Sequence, residues 1–288
     1  MSANWSEIEL ERAARVIAEI DAYVGPRRLT GRTPRVRIAV SEIAGLCDGI
    51  WGSFPVTFIR HLYRELGFDE RRVFRWRLEH KLVQALVLNH YAPACIPATC
   101  GLAGWSGPTF FKPTLGDSSG DRQPINLVDE TFIVQERIPI AVEYRVHSLE
   151  DRVIDDLTFH RYGKGDIPGE RDAPNAFVQS VLDRLPNALT AGNLCGWDVA
   201  RTPDDRFLVV EVNFSGFHPV HNRGFQCSGW FHDEEWGALS AARLVRFLEE
   251  SCGVAVEIQA DLPDFEIANR FYAEVDRCRQ LLHSGIFT

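Results

Sequence analysis

Three oxygen-bearing side chains, Asp198, Glu211 and Asn213, fall on two neighbouring stretches with the character of a β-hairpin. The stretches at 196–200 and 206–213 are rich in Val, Phe and Leu, and the loop between them contains Pro and Asp, which favour tight turns. Carboxylate and amide oxygens suit a Mg²⁺ ion that holds polyphosphate. The pattern therefore predicts a divalent-cation site on one face of the hairpin. For any one of the three residues, a solvated charge at a strand end is the competing interpretation.

Alternation along the second strand determines which face would carry this chemistry. Successive side chains of a strand point to opposite faces, so Glu211 and Asn213 are expected on one face and Val210 and Val212 on the other. Asp198 completes the site if it lies across the hairpin on the polar face.

Lysine is rare in this chain, and one lysine occupies a position that suits phosphate binding. Of the 31 basic residues only three are lysines, Lys81, Lys112 and Lys164. Lys112 ends an apolar run and is followed by a loop of Gly and Ser at 116–120, residues that let backbone N–H groups approach an anion closely. An ordinary solvent loop would have the same composition. Lys81 lies in a predicted Leu- and Val-rich helix, and an ordinary surface position is the alternative for a lone lysine.

The order of these features resembles the ATP-grasp superfamily over about residues 78–216. A lysine precedes a Leu-rich helix and an Ile-Pro-Ala-Thr turn, and Lys-Pro precedes the Gly/Ser loop. Val-Gln-Glu-Arg-Ile and Glu-Tyr-Arg-Val follow, and then come the Gly-Trp-Asp and Glu-Val-Asn strands. Where the family usually continues with Pro-Gly after the Asn, this chain has Phe-Ser-Gly-Phe.

The resemblance implies a role for each matching residue. Asp198, Glu211 and Asn213 would bind Mg²⁺, with Mn²⁺ as an alternative, at the phosphates of ATP. The backbone of 136–138 would meet the adenine. The full set that would bind ATP is Lys81, Lys112, Ser118, Ser119, Gln135, Glu136, Arg137, Ile138 and Glu143, with Glu143 at the ribose hydroxyls.

Two arginines are the candidate catalytic residues. Arg145 shares a predicted strand face with Glu143, and its guanidinium suits a phosphate or a substrate carboxylate. Arg161 would meet the γ-phosphate, with Lys164 as the alternative.

The resemblance further implies ligation, in which a carboxylate attacks the γ-phosphate and an amine or thiol captures the acylphosphate. We therefore expect an ATP-dependent ligase that joins a small-molecule carboxylate to an amine. The alternatives are a small-molecule kinase of the same superfamily and a nucleotide-binding protein without catalysis. The chain contains neither a Walker A loop nor a recognisable Ser-His-Asp or Cys-His arrangement.

The implied fold is α+β, with three lobes and ATP held between two antiparallel β-sheets. We divide the chain into a short N-terminal lobe at 1–77, a central lobe with the Gly/Ser flap at 78–140, and a C-terminal lobe with the metal site and terminal helices at 141–288. Periodicity predicts helices at 7–23, 53–66, 78–88, 173–185, 233–251 and 264–282. Strands are predicted at 36–40, 108–113, 131–138, 141–149 and 153–161, besides the hairpin.

Composition limits the classes of partner. With 288 residues, 45% of them hydrophobic, the chain can bury a substantial core. Its net charge of -9 and the absence of a large basic cluster argue against a nucleic-acid partner. No apolar run approaches the roughly 18 residues of a membrane span, and the N-terminus lacks signal-peptide order, so we expect a cytoplasmic protein without a membrane partner. Seven scattered cysteines suggest neither a disulfide framework nor a zinc site. A homodimer is left open.

Overall fold

The computed structural model describes residues 7–24, 35–39, 54–68, 76, 78, 80–100, 108–114, 132–161, 167–214 and 234–259. Three predicted features lie outside these residues: the Gly/Ser flap with Ser118 and Ser119, the alternative residue Lys164, and the helix at 264–282.

The described residues form a mixed sequence of helices and strands. The helices are α1 (Glu7–Asp21), α2 (Phe54–Glu65), α3 (Lys81–Tyr91), α4 (Asp172–Leu182), α5 (Asn187–Thr190) and α6 (Glu234–Cys252), with a 3₁₀ turn at Pro168–Glu170. The strands are β1 (Arg35–Ala39), β2 (Thr99–Cys100), β3 (Thr109–Pro113), β4 (Phe132–Glu136), β5 (Val142–Leu149), β6 (Arg152–Val153), β7 (Phe159–His160), β8 (Leu194–Arg201), β9 (Phe207–Asn213) and β10 (Ala255–Gln259). None of the helices described combines the length and the apolar character that crossing a membrane requires.

Two antiparallel sheets dominate the fold. The smaller sheet has the strand order β2-β4-β3, and the larger has the order β6-β5-β8-β9, with β7 also paired to β5. The longest pairing joins β5 to β8 over their whole lengths, from Val142 opposite Arg201 to Leu149 opposite Leu194. Each strand carries alternate large apolar side chains, so one face of the sheet can be buried against helices.

The core under the larger sheet explains why β8 is almost entirely buried. Trp197 and Val199 of β8 pack with Tyr144 and Val146 of β5, and all four side chains are at most 1% exposed. The indole Nε1 of Trp197 donates a hydrogen bond to Ser148 Oγ at 2.9 Å, which satisfies its polar group. The predicted hairpin therefore packs on a buried, apolar core.

The two ends of the described chain share a separate small sheet. Strand β1 pairs in parallel with β10, with Val36 opposite Val256 and Ile38 opposite Ile258, and α2 packs on α6 beside them. Strand β10 was not predicted, because the partner that stabilises it lies about 220 residues away. The division into three lobes stays a prediction, but strands from its first and last lobes belong to one sheet.

The strand predicted at 153–161 is wrong in its middle part. Only β6 and β7 are extended there, and the residues between them form a turn in which the Leu157 N–H donates to the Ile154 carbonyl at 2.9 Å. The pair Asp155 and Asp156 lies in this turn. Asp favours turns, and here the Asp156 carboxylate also binds arginines from α6 and from the start of α4.

Candidate active site

A cleft of about 300 Å³ separates the two antiparallel sheets. Side chains from both sheets and from the segment that joins β4 to β5 line it. They are Pro97, Phe110, Lys112, Gln135, Glu136, Arg137, Ile138, Ile140, Glu143, Arg161, Val210 and Glu211. Concave sites of this size with a few convergent polar groups are typical of small-molecule binding.

Two lysines from the smaller-sheet side of the cleft approach β9. Lys81 is the first residue of α3, and its Nζ lies 3.3 Å from Glu211 Oε1. Lys112 of β3 donates from Nζ to the Val210 carbonyl at 3.0 Å and is only 3% exposed. Because Lys81 and Lys112 belong to a helix and to a strand, respectively, their positions are fixed by the fold rather than by a loop.

Burial sets the electrostatic state of Lys112. Removal from water lowers the pKa of its ammonium from 10.5 to about 8; the negative charge of Glu211 opposes this shift and the positive charge of Lys81 adds to it. Lys81 and Lys112 place two positive charges beside the one carboxylate of Glu211, while Arg137 and Arg161 on the cleft wall are matched by Glu136 and Glu143. Such a site attracts polyanions such as polyphosphate.

A β-bulge in β9 changes the predicted alternation of its side chains. Asp198 pairs with Glu211 but Val199 pairs with Val209, so Val210 is an extra residue in β9. Val210 and Glu211 both line the cleft, while Val209 and Val212 belong to the core. The expectation that Val210 would share a face with Val212 is therefore wrong. The bulge exposes Glu211 to the cleft.

Asp198 lies directly opposite Glu211, as the hairpin predicts, but in a different environment. Its side chain is 1% exposed, and Oδ1 lies 2.8 Å from Arg145 Nε. Its Oδ2 contacts Nη1 of Arg161, which also lies 3.0 Å from Glu143 Oε1. The Asp198 carboxylate is thus engaged by two guanidinium groups, whereas Glu211 is 27% exposed and paired with one lysine.

The third predicted metal ligand, Asn213, ends β9 opposite Gly196. Its Nδ2 donates to the Gly196 carbonyl at 3.4 Å, which fixes the orientation of the amide. Within the described part of the chain no group of three or more His, Cys, Asp or Glu side chains is arranged to hold a metal ion. Mg²⁺ needs only one or two protein ligands when phosphate oxygens and water complete its octahedron. Glu211 and Asn213 suit that requirement, while Asp198 is engaged by two arginines and its role as a ligand stays a prediction.

The segment predicted to meet the base lies along the rim of the cleft. The Gln135 side chain donates from Nε2 to Thr99 Oγ1 at 2.9 Å. The backbone N–H groups of Glu136 and Arg137 donate to the carbonyls of Ala98 and Pro108, at 2.7 and 3.0 Å. These two N–H groups stabilise the smaller sheet, so neither can donate to a base unless the sheet opens.

One buried polar residue beside this site was missed by the sequence-based prediction. Gln84, one helical turn after Lys81, is 7% exposed and forms hydrogen bonds with strand β9. A polar amide inside the apolar run Leu82 to Leu88 was the available signal, because buried polar groups need partners.

Comparison with known families identifies the central part of this arrangement. Residues 118–219 match a family that is described as an ATP-grasp domain, the second family of its clade. This part of the chain is similar to an ATP-grasp domain. The ATP-grasp recognition and the α+β fold class are thereby confirmed. The matched range includes Glu143, Asp198, Glu211 and Asn213, whereas Lys81 and Lys112 precede it.

Several solved structures are partly similar to this chain. The N5-carboxyaminoimidazole ribonucleotide synthetase of Thermotoga maritima is 15% identical, with a TM-score of 0.36 over 49% of this chain and 43% of that chain. The N5-carboxyaminoimidazole synthase of Aspergillus clavatus, in complex with ADP and 5-aminoimidazole ribonucleotide, is 16% identical, with a TM-score of 0.38 over 52% and 48%. The ATP-grasp ligase PsnB, complexed with minimal precursor, Mg and ADP, is 12% identical, with a TM-score of 0.38 over 78% and 92%. The chain spans less than half the length of the two synthetases. A search of curated protein sequences gave no match.

Proposed function

We propose that this ATP-grasp protein is a Mg²⁺-dependent ligase that uses ATP to join a small-molecule carboxylate to an amine. The observation that supports the proposal is that Lys112 and Glu211 line one cleft between two antiparallel sheets, with Lys81 paired to the carboxylate of Glu211. Phosphoryl transfer depends mainly on positioning and charge stabilisation, and these residues supply both.

The proposed reaction has two steps. A carboxylate oxygen of the substrate attacks the γ-phosphorus of ATP, and the bond to the β–γ bridging oxygen breaks to release ADP. The amine nitrogen then attacks the acyl carbon, the C–O bond to phosphate breaks, and the amine proton passes to solvent. No side-chain nucleophile is required, because both nucleophiles belong to the substrates.

Each residue of the cleft has a task in this scheme. Lys112 and Lys81 hold the phosphate oxygens, and the two sheets exclude water from the reactive acylphosphate. Arg161 lines the cleft and would contact the γ-phosphate, while Glu143 would accept hydrogen bonds from the ribose hydroxyls. Arg145 is buried against Asp198, so its role in the proposal is to position that carboxylate rather than to touch the substrate.

Glu211 and Asn213 are the residues that would hold Mg²⁺. When bound, the ion neutralises charge that develops between the β- and γ-phosphates. The tight arginine contacts of Asp198 assign it a supporting position in the same site. Direct binding of the ion by Asp198 as a third ligand stays a prediction from the hairpin.

The proposal is tested first by nucleotide-dependent stabilisation. Mg·ATP should raise the unfolding temperature of the wild-type protein, and Glu211→Ala and Lys112→Ala should each abolish that increase. A shift that both variants retain would contradict the site assignment. The substrate is then sought in a coupled ADP-release screen with panels of amino acids and carboxylic acids.

The products distinguish the ligase from its alternatives. A ligase releases one inorganic phosphate for each ADP, whereas a kinase retains the phosphoryl group on its acceptor. A protein that binds nucleotide without catalysis would show thermal stabilisation by Mg·ATP but no ADP release with any acceptor pair.

A further inference from the structure

The outer edge of β9 is bound by groups that come from the smaller-sheet side of the cleft. Strand β9 is the last strand in the order of the larger sheet. The Cys95 carbonyl accepts from the Val209 N–H at 2.7 Å, and Lys112 donates to the Val210 carbonyl. At Val212 the partner is a side chain, the carboxamide of Gln84.

The carboxamide of Gln84 pairs with Val212 as a second strand would. Its Oε1 accepts from the Val212 N–H at 3.0 Å, and its Nε2 donates to the Val212 carbonyl at 2.8 Å. The second Nε2 hydrogen goes to the Leu78 carbonyl at 3.1 Å. Both donors and the acceptor are therefore used, and exchanging the amide oxygen and nitrogen would break all three bonds.

The position of Val212 gives this pairing its significance. Val212 separates Glu211 from Asn213, so fixing both of its backbone groups restricts the strand between the two proposed metal ligands. Gln84 also lies one turn beyond Lys81 on the same helix, and Lys81 pairs with Glu211. One helix thus holds the carboxylate of Glu211 by its charge and the backbone beside it by hydrogen bonds.

We propose that Gln84 is a positioning residue for the metal site: its carboxamide, bound to the Val212 backbone, holds Glu211 and Asn213 in the geometry that a divalent cation needs. The inference depends on the proposed function, since it assumes that Glu211 and Asn213 bind the ion. Groups that orient metal ligands without touching the metal typically contribute about 10- to 100-fold to metal affinity or activity.

The test measures metal binding rather than turnover. Mn²⁺ is titrated into the protein saturated with a non-hydrolysable ATP analogue, and binding is followed by electron paramagnetic resonance. Gln84→Met keeps the length of the side chain but removes all three hydrogen bonds. We expect this variant to bind Mn²⁺ about 10- to 100-fold more weakly than the wild type, with its affinity for the analogue in EDTA unchanged within about twofold.

A matched control is available in Gln179. Its Oε1 accepts from the Val153 N–H at 3.0 Å and its Nε2 donates to the Asp151 carbonyl at 2.8 Å, so it pairs with backbone at β6 in the same manner. Gln179→Met should leave Mn²⁺ binding unchanged. The inference is overturned if Gln84→Met binds Mn²⁺ as tightly as the wild type, or if both variants weaken binding equally.

The wild-type protein separates a failure of this inference from a failure of the proposed function. If the wild type itself binds neither Mn²⁺ nor the analogue, the proposed function is wrong. Hydrogen exchange of the Val212 amide in the wild type adds a measurement that does not depend on any variant folding. We expect at least about 100-fold protection, as for amides in stable structure, and exchange at the rate of an open strand edge would refute the pairing with Gln84.

Discussion

Two groups of charged side chains in this protein combine arginine or lysine with a carboxylate, and they differ in what they leave available. At the cleft, which Lys112 and Glu211 line, Lys81 and Lys112 lie beside the carboxylate of Glu211. In the turn between β6 and β7, the carboxylate of Asp156 lies between Arg171, at 2.8 Å, and Arg246. The backbone carbonyl of Asp156 accepts a further hydrogen bond from Arg243 at 2.8 Å.

In these two clusters, the geometry of the cation matches what each carboxylate leaves available. Arginine presents several donors in a planar fork, so two arginines occupy both oxygens of Asp156 and tie α4, α6 and the turn together. Lysine is a compact point charge, and the cleft group opens onto a cavity that a polyanion can enter. The arginine cluster at Asp156 stabilises the fold, and the lysine cluster at Glu211 fits a binding site. The predictions below test this distinction in order of expected effect.

Removal of Lys112 should have the largest effect on binding. We expect Lys112→Met to reduce ATP affinity at least about 100-fold at pH 7, because a buried cation that faces phosphate is lost. The same substitution should raise the stability of the nucleotide-free protein by about 1 kcal/mol, since burial of the charge is unfavourable. Calorimetric titration and urea unfolding measure the two quantities. Arg171→Met is the control, and an equal loss of ATP affinity in that variant would remove the distinction between the clusters.

Removal of Asp156 should have the largest effect on stability. Asp156→Ala leaves two guanidinium groups without their shared carboxylate, and we expect it to cost about 2 kcal/mol of unfolding free energy, less than for a fully buried pair because Asp156 is 28% exposed. Urea unfolding measures the change, with the neighbouring exposed Asp155→Ala as control. ATP affinity should remain within about twofold of the wild type, and a selective loss of ATP binding would place this cluster in the site.

The lowered pKa of Lys112 predicts a pH dependence that the arginine cluster lacks. Phosphate binds the charged ammonium, so ATP affinity should be insensitive to this group below about pH 8 and should fall by at most about tenfold per pH unit above it. The sign for stability follows from proton binding: between about pH 8 and 10.5 the unfolded chain holds more protons, so the unfavourable contribution of this group to folding decreases as pH rises. Titration of ATP at several pH values, compared with Lys112→Met, measures the first effect. If the ATP affinity of Lys112→Met falls with pH as steeply as that of the wild type, Lys112 is not the cause of the pH dependence.

The smallest effect is expected from an exposed ion pair in the turn of the hairpin. Arg201 Nη2 lies 2.6 Å from Asp205 Oδ1, but the two side chains are 40% and 72% exposed. Exposed pairs are screened by water and salt, so Arg201→Ala should leave both the unfolding midpoint and ATP affinity without a measurable change. A clear loss of either would mean that the turn is coupled to the cleft.

Local sequence was sufficient for most of the individual elements. Apolar periodicity and turn residues predict the hairpin of β8 and β9, the strand that contains Lys112 and the helix that contains Lys81. The ATP-grasp domain was recognised because the order of these elements is itself a property of the sequence. Strand β10 and the turn at Asp156 were missed because each depends on partners that are distant along the chain.

The candidate site was predicted only in part for the same reason. The hairpin pattern indicated that Asp198 and Glu211 could lie opposite each other on neighbouring strands, and the register of β8 and β9 pairs them. The bulge at Val210 was not predicted, because regular alternation along a strand gives no signal for an extra residue. The burial of Asp198 between Arg145 and Arg161 likewise requires two strands that lie far apart in the sequence.

The sequence by itself determined which side chains are charged or polar and in what order they occur, since side-chain chemistry and strand alternation are local properties. Only the tertiary structure decided which of them meet. Packing of the smaller sheet and α3 beside the larger sheet gives Lys112 its burial and lowered pKa and brings Gln84 to Val212, and strand pairing within the larger sheet places Asp198 beside Arg145. These outcomes depend on the distances between segments, which no local pattern specifies.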